Sequence, residues 1–313
     1  MEIFEKHLKS VDTEAIRKNL VHRELVRKED SKPLLIYYNR IPKCGSTFFT
    51  SLLNKTAETK QRFVVNNFHH RGLRFSFKND HEKRRFFNDI EHDVATESNP
   101  ILYIRHQYFT DFHEAQKKSG HGKLDKSNSV FYMNMLRDPV ERFISEYYYK
   151  RHGSEITKDI DSLRRVTNTR NVNMTLNECV STRNAECSSI KQTMTMFFCG
   201  QSEDCVENSN RPKSLEKAKS NLLNVYDFIG IHERFEDSIR ILEATLPDTM
   251  KGLYHNYKSI RGDPGQVTRK KGKVAELSKR LLRKNLKNDV DLYEFSRVLF
   301  HERYAKFVEQ GLL

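Results

Sequence analysis

Short apolar runs recur along the chain at Lys32–Asn39 (KPLLIYYN), Arg62–Phe68 (RFVVNNF), Ile101–His106 (ILYIRH), Val130–Leu136 (VFYMNML) and Val225–Ile231 (VYDFIGI). They are rich in β-branched and aromatic side chains, which predicts buried strands. Between several of them the period changes to that of a helix, in TFFTSLLNKTAE from Thr47, DPVERFISEYYYKR from Asp138 and RFEDSIRILEATL from Arg234. Strands alternating with helices predict an α/β fold, a mostly parallel sheet flanked by helices, whose ligands bind beyond the carboxyl ends of the strands. Residues 1–30 read as an amphipathic helix or arm, set off from a single domain over 31–313. The polar stretch 152–178 reads as a long surface excursion, and Lys258–Lys273 (KSIRGDPGQVTRKKGK) as a mobile basic loop.

Composition supports a folded chain and adds a charge. The 313 residues suffice for one large domain or two small ones, and with 37% hydrophobic residues, 12 Gly and 7 Pro there is no low-complexity tract or internal repeat. The formal net charge of +13 implies polyanionic partners, with nucleic acid, anionic lipid and sulfated polysaccharide all open. No run reaches the roughly 18 apolar residues of a membrane span, and the first twenty residues lack the apolar core of a signal peptide.

The cysteines point to another compartment than that plain beginning does. Cys179 and Cys187 bracket one short segment, Cys199 and Cys205 another, while Cys44 stands alone upstream. Zinc sites favour closer pairs with added His, and no His lies between 179 and 205, so disulfides are expected ahead of zinc or free thiols. The sequons at Asn54 and Asn173 fit the same oxidising, secretory environment.

Two segments carry candidate chemistry. In IYYNRIPKCGSTFFTSLL, Lys43, Gly45, Ser46 and Thr47 lie between a strand and a helix, where unpaired N–H groups, a Lys and two hydroxyls make a receptor for phosphate or sulfate. A Walker A loop places its Lys after the last Gly, whereas Lys43 precedes Gly45, which disfavours a nucleotide triphosphatase. The plain alternative is a Gly turn with Ser46 as helix N-cap. The second segment repeats the grammar: a strand, then Arg137, then Asp138-Pro139 opening a helix that carries Ser145 about two turns on. Arg137 and Ser145 could grip a second phosphate, although an Arg-Asp-Pro helix start is by itself more often a surface ion pair.

In order along the chain, YNRIPKCGST, RDPVERFISEYYY, NECV with its following EC, FFCGQSEDC and FIGIHERFEDSIRILEATLP resemble the Golgi uronosyl 2-O-sulfotransferases, a family with heparan sulfate and chondroitin/dermatan members. The resemblance implies a P-loop-like α/β sulfotransferase domain over 31–313, the donor 3′-phosphoadenosine 5′-phosphosulfate (PAPS) with product PAP, and no metal. It also implies bridges Cys179–Cys187 and Cys199–Cys205, and a lumenal Golgi enzyme held by a type II anchor, which is not expected within these 313 residues. By position, Arg40, Lys43, Gly45, Ser46 and Thr47 fall on the loop for the 5′-phosphosulfate, and Arg137 and Ser145 on the grip for the 3′-phosphate. Arg269 and Lys270 fall on a segment that closes over the nucleotide, Arg164 and Arg165 on one that holds the acceptor. The family's base falls at His106 in YIRHQYFTDF. Where the heparan enzyme has another His two residues earlier, this chain has Ile104. The Arg105-His106 pair and the wording of NECV and FCGQ lean toward the chondroitin/dermatan enzyme, while Pro42-Lys43 matches the heparan one.

The residue types suit the chemistry implied. Sulfuryl transfer to a sugar 2-hydroxyl needs a base for its proton, here His106, and cations for the charge that gathers on the sulfate and leaving oxygen, here Lys43. A lone His after a strand is usually structural, and only the motif series singles out His106 over His69, His70 and His113. An acidic glycosaminoglycan is the expected partner, supplied with cations by Arg164 and Arg165, while Arg71, Arg74 and Lys78 read as solvated charges. Self-association is left open. A glycan-binding pseudoenzyme is the alternative reading; a nucleic-acid-binding protein is supported by charge alone, with no zinc finger, RNP motif or helix-turn-helix pattern.

Overall fold

Every apolar run singled out above becomes a strand: β1 Leu35–Tyr38, β2 Val64–Asn67, β3 Ile101–Ile104, β4 Val130–Leu136 and β5 Phe228–Ile231. The structure, a computed structural model, describes residues 26, 33–67, 75–112, 124, 129–155, 157–169, 171–261 and 267–313. The expected N-terminal arm, Val26 apart, lies outside the described residues, as do His69, His70, Arg71, Arg74 and His113. The strands form one parallel sheet in the order β2-β3-β1-β4-β5. Tyr38 at the end of β1 is in register with Ile104 of β3 and Met133 of β4, and β4 runs on to pair Leu136 with Ile231 of β5. From β1 the chain first builds β2 and β3 on one side, then crosses to β4 and β5 on the other. The loops that leave β1 and β4 therefore flank the switch point where such sheets bind ligands.

Helices cover this sheet: α1 Ser46–Lys60, α2 Asp80–Thr96, α3 Pro139–His152, α4 Ile160–Val166, α5 Leu176–Ser181, α6 Ala185–Ser188, α7 Thr193–Cys199, α8 Glu203–Val206, α9 Pro212–Asn224, α10 Phe235–Thr245, α11 Leu253–Ile260, α12 Glu276–Asn285 and α13 Lys287–Glu309. α1 buries Phe49, Leu52, Leu53 and Thr56, the spacing of a single helical face. The Asp138 side chain caps α3, accepting the N–H groups of Val140 and Glu141 at 2.9 and 3.0 Å, while Pro139 presets the first turn and Lys150, Arg151 and His152 complement the last.

Three local expectations need revision. Ser46 is not the N-cap of α1: Gly45 takes that position in the left-handed region at φ 74°, and no side chain caps the helix. The stretch 152–178 is not bare loop, since it holds α4, which buries none of its side chains, and the start of α5, closed by a Thr175–Glu178 capping box. The basic segment 258–273 begins inside α11, which runs to Ile260, and beyond residues 262–266 it is tethered by a bridge between Thr268 and Ser154.

Both expected disulfides are present, Cys179–Cys187 joining α5 to α6 and Cys199–Cys205 joining α7 to α8, and Cys44 is a buried free thiol. Among the described residues no helix is long and apolar enough to cross a membrane.

Candidate active site

A buried polar knot fixes the loop after β1. Asn39, fully buried, accepts on its side-chain oxygen from Asn134 Nδ2 at 2.9 Å and from the Tyr226 hydroxyl at 2.9 Å. Its amide nitrogen faces the carbonyls of Gln107 and Phe197, both at 3.3 Å, and Tyr37 donates to Gln107 Oε1 at 2.9 Å. An amide with its donors and acceptor all matched has one low-energy orientation in a dry interior, so β1, β4 and the segment after β3 are held in fixed relation. The next residues along the chain, Arg40 and His106, inherit that relation.

His106 Nδ1 lies 2.8 Å from the carbonyl oxygen of Arg40. A carbonyl only accepts, so Nδ1 carries the proton and Nε2 keeps its lone pair. Burial, then the nearby Arg40 charge, push the imidazole down to about 3, with the backbone hydrogen bond opposing them. The ring is accordingly neutral at physiological pH. Phe75 meets it edge-on with ring centroids 6.3 Å apart.

Lys43, at φ 67°, and Gly45 give the loop its tight left-handed path. Arg137 reaches across from the end of β4 and donates Nη1 to the Lys43 carbonyl at 3.2 Å. The Lys43 ammonium rests 3.9 Å over the Tyr149 ring of α3; burial first and the Arg137 charge second lower it to about 8, against the pull of Glu146. Glu146 itself is engaged by Arg142 at 2.7 Å and Lys150 at 2.6 Å, which hold it at about 2 although burial pushes upward. Glu233 and Asp138 are likewise occupied, the one by Tyr293 and the Asp138 N–H, the other by Arg283 and the α3 cap. The loop thus gathers Arg40, Lys43 and Arg137 around an uncapped helix N-terminus while its nearest carboxylates are matched elsewhere. The Nε atoms of Arg40 and Arg137 are buried without a hydrogen-bond partner among the described residues. Orphaned guanidinium nitrogens beside free helix N–H groups fit an anion such as a phosphate or sulfate.

The other sequence candidates sit further along α3. Ser145 is buried, its hydroxyl 3.3 Å from that of Thr268, so the basic segment folds onto α3 at the residue marked for phosphate. Arg269 donates to the Glu155 carbonyl at 3.0 Å, and Lys270, left-handed at φ 50°, is exposed. Arg164 donates Nε and Nη2 to the Arg151 carbonyl at 3.0 and 2.9 Å and pairs with Asp161 at 3.0 Å, while Arg165 on the same helix is exposed. Burial, then the charges of Lys270, Arg164 and Arg151, lower His152 at the end of α3. That end is about 20 Å from the Arg137 end at 1.5 Å per residue. Among the described residues no hydrogen bond or ion pair links Arg164 or Arg165 to Lys43 or His106. Sequence reasoning passed over Asn39, Asn134, Tyr149 and His232; the one local signal was a polar Asn inside apolar runs such as VFYMNML.

A parallel sheet with a cationic loop at its switch point and an oriented neutral histidine beside it is an arrangement suited to group transfer from an anionic donor. The sulfotransferase family's profile matches residues 28–296, and the chain belongs to that family. It is 30% identical over 278 residues to heparan sulfate 2-O-sulfotransferase 1 of Xenopus laevis, covering 88% of this chain and 72% of that protein. The corresponding mouse enzyme is 29% identical, with 86% and 71% covered, and heparan sulfate 2-O-sulfotransferase hst-2 of Caenorhabditis elegans 28%, with 87% and 80% covered. The motif resemblance to the uronosyl 2-O-sulfotransferases is borne out, and the protein is a sulfotransferase.

Proposed function

We propose that this enzyme transfers the sulfuryl group of PAPS to the 2-hydroxyl of a uronic acid in a glycosaminoglycan, within the Golgi lumen. The observation that carries the reading is the tautomer of His106: with Nδ1–H given to Arg40, Nε2 is a free base at the mouth of the anion loop. PAPS supplies the activated sulfuryl group. Gly45, Ser46 and Thr47 present the first N–H groups of α1 to its 5′-phosphosulfate, and Arg40 and Lys43 offset charge there. Arg137 and Ser145 hold the 3′-phosphate, Ser145 by exchanging its Thr268 partner for a phosphate oxygen. Arg269 and Lys270 close the nucleotide side. His106 Nε2 takes the proton of the acceptor hydroxyl as the oxygen attacks sulfur, and Lys43 stabilises the leaving phosphate oxygen. Arg164 and Arg165 contact the acidic acceptor away from the reacting sugar. The residues form one catalytic domain over 31–313.

For the acceptor, the relatives' names favour heparan sulfate, whereas the Arg105-His106 pair favours chondroitin/dermatan chains. Incubation with PAPS and separate pools of desulfated heparan and chondroitin/dermatan chains, followed by disaccharide analysis, is expected to show new sulfate at uronate O2 and to identify the chain. New sulfate confined to glucosamine or galactosamine rejects the proposal.

A further inference from the structure

β5 delivers one more side chain to the loop after β1. It ends at Ile231 beside Leu136 of β4, and the next residue, His232, turns its ring onto Gly45. A Cβ at Gly45 would stand 2.4 Å from His232 Cδ2 and 2.9 Å from Nε2, so the ring occupies space that only glycine leaves open. The segment that carries the ring is locked. The Ser238 hydroxyl accepts the Ile231 N–H at 2.9 Å and donates to the Arg234 carbonyl at 2.8 Å, and Phe235 packs against the imidazole with centroids 6.3 Å apart.

The protein makes no use of the polarity it has fixed there. Neither ring nitrogen has a hydrogen-bond partner among the described residues. The neighbouring Glu233 is already engaged by the Asp138 N–H at 2.9 Å and the Tyr293 hydroxyl at 2.7 Å. Just past the end of β4, Arg137 is the cation whose charge acts on His232, and its Nε is itself buried and without a hydrogen-bond partner among the described residues. A neutral imidazole carries one N–H to give, and nothing among the described residues accepts it. A bisphosphate nucleotide would supply acceptors to both side chains, its 5′-phosphate at the uncapped N-terminus of α1 to His232 and its 3′-phosphate to Arg137.

We infer that His232 is a donor-binding residue that hydrogen-bonds the phosphate seated at the N-terminus of α1, with Gly45 kept free of a side chain so that the ring can reach it. The inference rests on the PAPS reading above. It adds a ligand from the fifth strand to those from the first and fourth, and makes the phosphate position depend on how β5 packs.

Calorimetry with PAP and with 5′-AMP on the parent, His232→Phe, His232→Leu and His232→Asn tests it. Phe and Leu keep the apolar contacts without an N–H, and Asn restores a donor. Phe and Leu are expected to weaken both nucleotides by about 10- to 100-fold, the scale of one hydrogen bond to a charged group. Asn should stay within about 3-fold of the parent, and the KM for PAPS should rise in Phe and Leu while kcat holds. Parent-like PAP affinity in whichever apolar variant folds overturns the inference, as does an equal loss in Asn or a loss seen with PAP but not with 5′-AMP. A parent that binds neither nucleotide overturns the PAPS reading and this inference with it, whereas a parent that binds both isolates the failure to His232.

Discussion

Arg137 Nη1 donates to the main-chain oxygen of Lys43 at 3.2 Å. One guanidinium therefore joins the end of β4 to the loop after β1, and two segments 94 residues apart in sequence act as a single cradle. The bond also leaves Nε of Arg137 buried and unmatched, so the same side chain that shapes the loop is short of one acceptor. A bound phosphate would supply it.

Arg137→Ala should then weaken PAP by about 1.5–3 kcal/mol, the range for a hydrogen bond to a charged group. Because the loop loses its tie as well, donor KM and kcat should both suffer. Calorimetry with PAP beside steady-state kinetics checks this; PAP affinity equal to the parent's would show that the guanidinium serves the loop alone.

Lys43 should leave a mark on the pH profile. Burial and the Arg137 charge lower its ammonium to about 8, so the charged form is lost as pH rises through that value. In the free enzyme kcat/KM for PAPS should decline above about pH 8, and Lys43→Arg should remove the decline by keeping the charge. Lys43→Ala should impair transfer more than PAP binding, because PAP lacks the sulfate whose departure the ammonium assists.

The acid side should look unusual for a histidine. Burial and Arg40 hold His106 at about 3, so imidazolium forms only as pH falls toward that value and the base form persists above it. The acid limb of kcat/KM should lie well below the ordinary histidine range near 6.5, and His106→Ala should cost at least about 100-fold in turnover with PAP binding unchanged. An acid inflection near 6.5 that vanished in His106→Ala would contradict this environment.

Reduction should destabilise the helical flank more than the sheet. The two bridges span sequence separations of 8 and 6 residues, and closing loops of that size stabilises by about 2–3 kcal/mol each in the chain-entropy model. Cys44, pushed up to about 12 chiefly by burial, should resist alkylation in the folded protein. Non-reducing peptide mapping and melting with and without reductant test both points. A bridge to Cys44 would refute the pairing.

Much of the architecture was legible because it is local. Five apolar runs, the Asp138-Pro139 helix start and the change of period after Thr47 each reflect preferences of adjacent residues, and each appears where the pattern placed it. The stretch 152–178 does run over the surface, but its helix α4 was not legible for the same reason: it presents no buried face, so hydrophobic periodicity could not announce it. The plain alternative of a Ser46 cap fails on backbone conformation, since Gly45 at positive φ takes that position.

The sequence by itself determined that this chain folds as an α/β protein and that Lys43, Gly45 and Arg137 stand at strand ends, because those facts depend on short-range chemistry, while the pairing of its cysteines was implied only by the family resemblance. Only the tertiary structure decided which nitrogen of His106 keeps its lone pair, for that follows from a carbonyl 66 residues away. It alone revealed the Asn39 knot, whose Tyr226 partner lies 187 residues on, and the pressing of His232 against Gly45. Strand order in a parallel sheet brings distant segments to one edge, and no local pattern records which side chains will meet there.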